Sequence, residues 1–373
     1  MKEKKEVFMK STSCFLLISV LAGIFYADMA YAETETLTSK QIIGILPNKE
    51  CLACGADYYT NSEIFHPMAS ALIISTASLQ NDIEMVNENS AQLLENATQR
   101  NNGIGWGIDF AWDAFSDGSV NPKNTIYGIT VAISVKALLD AYVKTKKPKL
   151  LESAIDALGY YSQFSTETED GICFWYSDQR SDDICVYNVS SMLMGQYARA
   201  GAISNNIVFK SLATKAFRRL IANIKVENAY SSLPYWPYSN ENPQPNDLVH
   251  AVYTIQGIIE YQKAFRGDSV SEAHVEYLTT FFQKEMPMEF SSVHKLPSNR
   301  SEKPARLWGL GMAIYTLSDL KKCDLSREFI SKLDNYRTSS GFKNDPTIKN
   351  ENEVRMLTHL SLGLAKFEKK CSD

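Results

Sequence analysis

Histidine is scarce in this chain of 373 residues: there are five, and no HExxH pair occurs among them, which removes the commonest helix-borne zinc protease signature. A glycine-rich phosphate loop, a nucleophile elbow and a basic stripe are also missing, so the P-loop and α/β-hydrolase chemistries have no anchor. No aspartate-rich diphosphate motif of the terpene-cyclase kind occurs. Charge of one sign is not in excess either, since 38 Lys and Arg against 43 Asp and Glu leave −5. Nucleic acid is therefore not an expected partner. No metal and no cofactor is expected. After the N-terminus, no stretch is long and charge-free enough to span a bilayer.

The N-terminus reads as a targeting segment. Lys2, Lys4, Lys5 and Lys10 precede an apolar run over 15–26, and Ala30-Tyr31-Ala32 is a small-x-small cleavage site. Cleavage after Ala32 would leave residues 33–373 as a single exported domain, periplasmic or secreted, without a stable membrane span. It would remove Cys14 and leave six of the seven cysteines, an even number suited to disulfides in an oxidising compartment. Cys173 and Cys185 flank one loop. Cys323 and Cys371 begin and end late helices. Cys51 and Cys54 remain, as a local disulfide or as a metal or redox pair. The βαβ context of a redox CxxC and the second close pair of a zinc site are both missing, which favours the disulfide.

From Pro67 the chain is helical, and repeatedly so. Segments 68–79, 125–142, 189–199, 248–261, 305–317 and 354–367 are apolar round most of their circumference. They alternate with one-sided segments at 82–98, 149–164, 208–224, 271–284 and 325–336. A helix that is hydrophobic all round is buried all round. Gly128, Gly195, Gly257, Gly311 and Gly363 recur within the first set, and each costs roughly 0.5–1 kcal/mol relative to alanine. Their recurrence implies close approach of backbones around a ring. The short turn at 39–46 would supply a sixth outer element. The expected fold is an all-α (α/α)6 toroid of helical hairpins, with an open α-solenoid as the alternative.

The connections within pairs are short, whereas those between pairs (103–123, 166–185, 227–246, 287–304 and 339–350) are long and aromatic. They should emerge at one end, and long loops of this kind are usually functional. Trp106, Trp112, Phe174, Trp175, Tyr176, Tyr235, Trp236 and Tyr238 on the loops, with Tyr127 and Trp308, are candidate platforms for a sugar, whose C–H faces pack on rings while its hydroxyls need polar partners such as Asn188 and Arg180. Asp109, Asp113 and Asp117 on the first loop and Asp170, Asp178, Asp182 and Asp183 on the second are candidate carboxylates. Asp113 and Asp178 are the preferred acid–base pair, being close to aromatics in sequence, although each aspartate has an alternative as a turn former. Asp247, His250 and Tyr253 recur at i, i+3, i+6 at the start of a buried helix. Asp247 doubles as a helix cap, and His250 occupies a position that favours a neutral, proton-accepting imidazole. Arg306 has the planar fork that pairs with a uronate carboxylate, or else forms a salt bridge to Glu302 or a loop aspartate.

The stretches GWGIDFAWDAFSDGSVNPKNTIYGITVAISVKALLDAY, DDICVYNVSSMLMGQYAR, NDLVHAVYTIQGIIEY and ARLWGLGMAIYTLSDL resemble bacterial exopolysaccharide-biosynthesis proteins of the VpsJ type, over roughly 103–370. They share the helical-toroid style of carbohydrate epimerases, lyases and unsaturated-uronyl hydrolases. The resemblance implies the toroid, a polysaccharide or oligosaccharide partner, and other exopolysaccharide-assembly proteins as candidate associates. It implies no single reaction, because one fold hosts many. Three functions remain open: a glycan-active hydrolase, lyase or epimerase; a non-catalytic glycan-binding or assembly factor; and a scaffold for exported proteins.

Overall fold

Pro67 at the first helical position and the left-handed Asn81 just past the end bracket the first buried helix, the usual start and stop chemistry of a helix. Twelve of its fourteen residues are buried. The computed structural model describes residues 37–372 apart from 58, 61, 227–231, 266–269 and 295–301; the expected leader and Cys14 lie outside the described residues.

Twelve α-helices occur among the described residues, alternating in kind: α1 (Ser39–Gly44), α2 (Pro67–Gln80), α3 (Ile83–Glu95), α4 (Gly128–Thr145), α5 (Pro148–Tyr161), α6 (Tyr187–Ser204), α7 (Ile207–Ala222), α8 (Leu248–Phe265), α9 (Glu272–Thr279), α10 (Leu307–Asp319), α11 (Cys323–Ile330) and α12 (Val354–Cys371). The even-numbered helices are inner and pack in cyclic order, α12 returning to α2, so the ring is closed. The odd-numbered helices lie outside and bury one face; in α3 this is Val86, Asn89, Ser90 and Leu93. The fold is thus an (α/α)6 toroid. The short α1 closes the outer layer over α12, tied by Ser39 donating to Glu368 and by Ser361 donating to the Ser39 carbonyl.

The recurrent glycines are spent at two crossings. A Cβ on Gly257 would lie 2.2 Å from the Ser191 carbonyl oxygen, and one on Gly195 would lie 2.8 Å from that of Gly257, so α6 and α8 touch backbone to backbone. Gly311 and Gly363 do the same for α10 and α12. Gly128 differs: it opens α4 against Val189 and Tyr161 side chains rather than against an inner-helix backbone.

The long connections contain structure that alternation in the sequence was too short to reveal. Antiparallel hairpins follow the outer helices: β1 (Cys54–Ala56) with β2 (Glu63–Phe65), β3 (Thr98–Arg100) with β4 (Gly103–Gly105), β5 (Ser165–Thr168) with β6 (Gly171–Phe174), β7 (Lys225–Val226) with β8 (Pro234–Tyr235), and β9 (Phe282–Gln283) with β10 (Met286–Pro287). The expected outer-helix ends at 98, 164 and 284 are therefore strand rather than helix, or lie beyond the helix; the last outer segment breaks into α11 and a 3₁₀ turn, Leu333–Tyr336. Three disulfides form, Cys51–Cys54, Cys173–Cys185 and Cys323–Cys371. The last ties α11 to the end of the final inner helix.

Candidate functional site

All six inner helices begin at the same end of the ring, and their first turns surround a cavity of about 240 Å³. Its walls are Trp112, Tyr127, Tyr176, Tyr238 and Trp308, with Tyr59 at the edge; His250, Tyr253, Arg306 and Arg355 supply polar groups. A second cavity of about 510 Å³ shares Tyr238, His250 and Arg306 and extends over Asp247, Glu289 and Lys303. The first, second and third inter-pair loops wall the smaller cavity, and the first, third and fourth wall the larger; the fifth lines neither.

The aromatic wall is fixed by the loop that precedes α4. That loop folds back on itself through backbone pairing of Trp112 with Asn121 and of Gly107 with Ile126. It sets Trp112 5.0 Å from Tyr59 and 5.3 Å from Tyr127, ring centre to ring centre. Asn121 donates to the Tyr127 hydroxyl and to Asp182, which Ser177 also holds, so the second loop braces the first. Burial raises the Tyr127 hydroxyl to about 12, so it stays protonated.

The polar wall is built round α8. Asp247 accepts the His250 backbone N–H at 3.1 Å, capping the helix, and its same oxygen lies 2.6 Å from His250 Nδ1. The carboxylate only accepts, so Nδ1 carries a proton and Nε2 is the nitrogen left to face the cavity. Arg306 Nη2 lies 2.8 Å from the other Asp247 oxygen and 2.6 Å from Glu289, placing those two carboxyl oxygens no more than about 5.4 Å apart. Their acidities separate. Burial would raise Asp247, but His250 and Arg306 outweigh it and hold the carboxyl well below the usual range. Burial and the Asp247 charge push Glu289 up.

One turn further along α8, the Tyr253 hydroxyl meets His359 Nε2 at 2.5 Å, and His359 Nδ1 faces the Arg355 carbonyl at 2.5 Å. A carbonyl can only accept, so Nδ1 donates, Nε2 accepts, and Tyr253 donates its proton to His359. Burial lowers His359 to about 3, which keeps the ring neutral. Beside it the Arg355 guanidinium lies over both Trp308 and Tyr59, 5.1 and 5.2 Å from the ring centres. Its Nε and Nη2, the Trp308 indole N–H and the Asn188 side-chain oxygen are all buried without a hydrogen-bond partner, and all four belong to residues lining the cavity. Orphaned buried polar atoms are rare in proteins and call for a reason. Here they offer donors and an acceptor to a polar ligand.

Of the residues singled out in the sequence, Trp112, Tyr127, Tyr176, Asn188, Tyr238, Asp247, His250, Tyr253, Arg306 and Trp308 meet at the mouth. The rest line neither mouth cavity. Trp106 and Trp236 are buried in the wall, each donating its indole N–H to a carbonyl near the end of an outer helix, Leu93 and Leu220. Trp175 bonds Thr166 on the adjacent hairpin. Arg180 is exposed in a 3₁₀ turn, Asp109 pairs with Lys123, and Asp117 caps Ser119. The preferred pair does not assemble. Asp113 closes an exposed turn by accepting the N–H groups of Asp117 and Gly118. Asp178 has 3% of its side chain exposed and is saturated by Arg100, Tyr160, Gln179 and the Ile126 N–H. Arg306 finds its carboxylates in Asp247 and Glu289, so its charge is already met. Glu289, Arg355, His359 and Tyr59 were missed; the only prior signal for Glu289 was its place on a long aromatic loop.

No protein family matches the chain by sequence, and no curated protein does. Solved structures match its shape. An α-amylase from Clostridium perfringens superposes with a TM-score of 0.66 at 13% identity, over 90% of this chain and 99% of that one. A family 76 α-mannanase from Bacteroides thetaiotaomicron gives 0.60 at 13% identity, over 89% and 94%. A sugar epimerase from a ruminal bacterium gives 0.59 at 10% identity, over 87% and 96%. At such identities the likeness is one of fold.

Proposed function

We propose that this chain is an exported, glycan-active enzyme that binds an acidic polysaccharide or oligosaccharide across the ring mouth and moves the proton next to a uronate carboxylate, as a lyase or epimerase does. The observation that carries this reading is the Arg355 guanidinium, unbonded at Nε and Nη2 on the same cavity as His250 Nε2 and the Tyr253 hydroxyl. Removing a proton alpha to a carboxylate requires a positioned base and a cation that takes up the charge developing on that group. His250, oriented by Asp247, is the base. Arg355 takes the role that the sequence offered to Arg306, which here serves to hold Asp247. In a lyase, His250 takes the C5 proton, the electron pair forms the C4–C5 double bond, and the C4–O4 bond breaks with Tyr253 protonating the departing oxygen. In an epimerase, Tyr253 returns a proton to the opposite face of C5. In either case the proton taken by His250 balances the one given by Tyr253, and exchange with solvent resets the pair.

A second reading, hydrolysis by Glu289 and Asp247, is favoured by their spacing of about 5.4 Å or less and by acidities pushed apart. The similar solved structures include both a glycoside hydrolase and an epimerase, which supports carbohydrate processing without choosing between them. Export is supported by the leader and by three disulfides. Kinship with the VpsJ type and association with exopolysaccharide-assembly proteins belong to the same proposal.

The test is to incubate purified protein with uronate-bearing polysaccharide in deuterated water. Ultraviolet absorbance of unsaturated uronate indicates a lyase, and deuterium at C5 without cleavage indicates an epimerase; both should vanish in His250→Ala and Arg355→Ala. New reducing ends without absorbance would replace this reading with the hydrolase. Binding with none of these signals would leave only a glycan-binding factor.

A further inference from the structure

At the other end of the ring, the C-terminal halves of all six inner helices surround a separate cavity of about 450 Å³. Six cations line it: Lys136, Lys144, Arg199, Lys263, Lys366 and Lys369. Three carboxylates answer them. Asp140 holds Lys136 at 2.7 Å and Arg199 at 2.5 Å. Asp319 holds Lys263 at 2.5 Å and Lys366 at 3.0 Å. Glu260 lies 3.5 Å from Lys263 and 4.0 Å from Arg199. Three positive charges remain in excess, and helix C-termini, each carrying roughly half a negative charge, compensate them only in part because that field fades within the last turn. The residual field is visible in the lysines themselves. Burial, Lys136 and Lys263 together draw Lys366 below its usual value in spite of Asp319, and burial, Lys144 and Lys370 do so for Lys369.

A second, independent observation points the same way. Ser78 lines this cavity, is 4% exposed, and its hydroxyl has no hydrogen-bond partner. An orphaned donor beside surplus cations is what an anion site presents. The only guanidinium among them, Arg199, is committed to Asp140 and Glu260. What is left is a set of ammonium point charges at different angles, which suits a multiply charged tetrahedral group better than one planar carboxylate.

We propose that this cavity binds a phosphate group, held by Lys369 and by Lys144, whose ammonium also donates to Asn81, with Ser78 donating a hydrogen bond and Lys366 adding charge from its pair with Asp319. The phosphate has two natural sources, a soluble phosphate ester or the headgroup of an anionic lipid. The rim is compatible with the lipid: Val143 and Ile203 line the opening and are 47% and 36% exposed, and Ile207 and Val208, at the adjoining start of α7, are 74% and 60% exposed. The site is on the far side of the ring from the glycan cavity and does not depend on the chemistry there.

The experiment uses the whole purified protein and the double variant Lys144→Gln/Lys369→Gln, whose side chains lie at the cavity opening rather than in the core. Thermal unfolding is followed with millimolar pyrophosphate and with chloride at matched ionic strength, and sedimentation with vesicles carrying phosphatidic acid, a phosphate monoester, and with phosphatidylcholine vesicles is measured in parallel. The expected result is a rise in Tm with pyrophosphate but not chloride, lost in the variant while its circular dichroism is unchanged. Sedimentation with phosphatidic acid vesicles alone, competed by pyrophosphate and lost in the variant, identifies the headgroup as the source; stabilisation without sedimentation identifies a soluble ester. No pyrophosphate-specific rise, or a rise and sedimentation that the variant retains, overturns the proposal.

Discussion

His359 shows how far one side chain can be constrained by its neighbours. Its Nδ1 proton goes to a backbone carbonyl and its lone pair to Tyr253, so both tautomer and orientation are set from within the wall. Burial lowers its pKa from 6.5 to about 3. The folded state therefore favours the neutral ring, and the stability this gives is present above about pH 6.5 and lost as the pH falls towards 3. His66, lowered to about 4 mainly by burial, adds to the same acid limb. Denaturant midpoints measured from pH 7.5 to pH 3.5 should fall steadily for the native sequence. His359→Gln should start lower but fall less, the remaining slope belonging to His66, His274 and depressed carboxylates such as Asp247 and Asp319; an identical slope would show that His359 does not titrate as argued. Tyr253→Phe leaves the His359 lone pair without a donor, at a cost of about 1–3 kcal/mol by chemical denaturation. If Tyr253 transfers a proton, the same variant loses about 10²–10⁴-fold in turnover, far more than its stability change would produce. Intact turnover in a folded Tyr253→Phe protein would remove the hydroxyl from the mechanism.

At the scale of helices, the same residue type plays opposite parts. Gly257 sits where α8 meets α6, and a methyl group there would lie 2.2 Å from the Ser191 carbonyl oxygen and 2.3 Å from its carbon, backbone atoms that cannot swing away. Gly159 in the outer helix α5 has nothing within 4 Å of the same position. Gly257→Ala should therefore cost several kcal/mol, about 3 or more, in the manner of an overpacked core. Gly159→Ala should stabilise by about 0.5–1 kcal/mol, because only the helix propensity changes. Urea titrations of the two variants should move in opposite directions. These inner helices were legible because a segment apolar on all sides can only be central, and the ring followed from counting such segments. The hairpins were not, because strands of two to four residues carry no measurable alternation. The site was half legible. Asp247, His250 and Tyr253 lie on one helix turn and its successor, so spacing alone gathers them. Glu289, Arg355 and His359 reach them only through ring closure across 42 to 112 residues of chain. The basic end opposite the mouth was hidden for the same reason: its cations come from four different inner helices, and no local stripe records them.

The whole ring depends on its last helix finding its first. α12 packs between α10 and α2, and α1 lies over it, so the C-terminal helix is held by elements from both ends of the chain. The three disulfides act on this closure unequally. Cys323–Cys371 bridges a separation of 48 residues and anchors the end of α12 to α11, Cys173–Cys185 bridges 12 within one loop, and Cys51–Cys54 bridges three. Their Cα separations, 5.4, 5.6 and 5.3 Å, are ordinary, so the difference among them is one of loop length. Constraint of the unfolded chain by that length gives about 4 kcal/mol for the first, about 3 for the second and under 2 for the third. Pairwise Cys→Ser replacement should lower stability in that order. The Cys323–Cys371 variant should also lose protection from hydrogen exchange at both α12 and α1, since releasing α12 uncovers the helix laid over it. If instead the Cys51–Cys54 pair proved the most costly, loop entropy would not be the governing term. Ring closure would then have to be secured by the β1–β2 hairpin that carries Cys54, whose tip brings Asp57 and Tyr59 to the cavity wall.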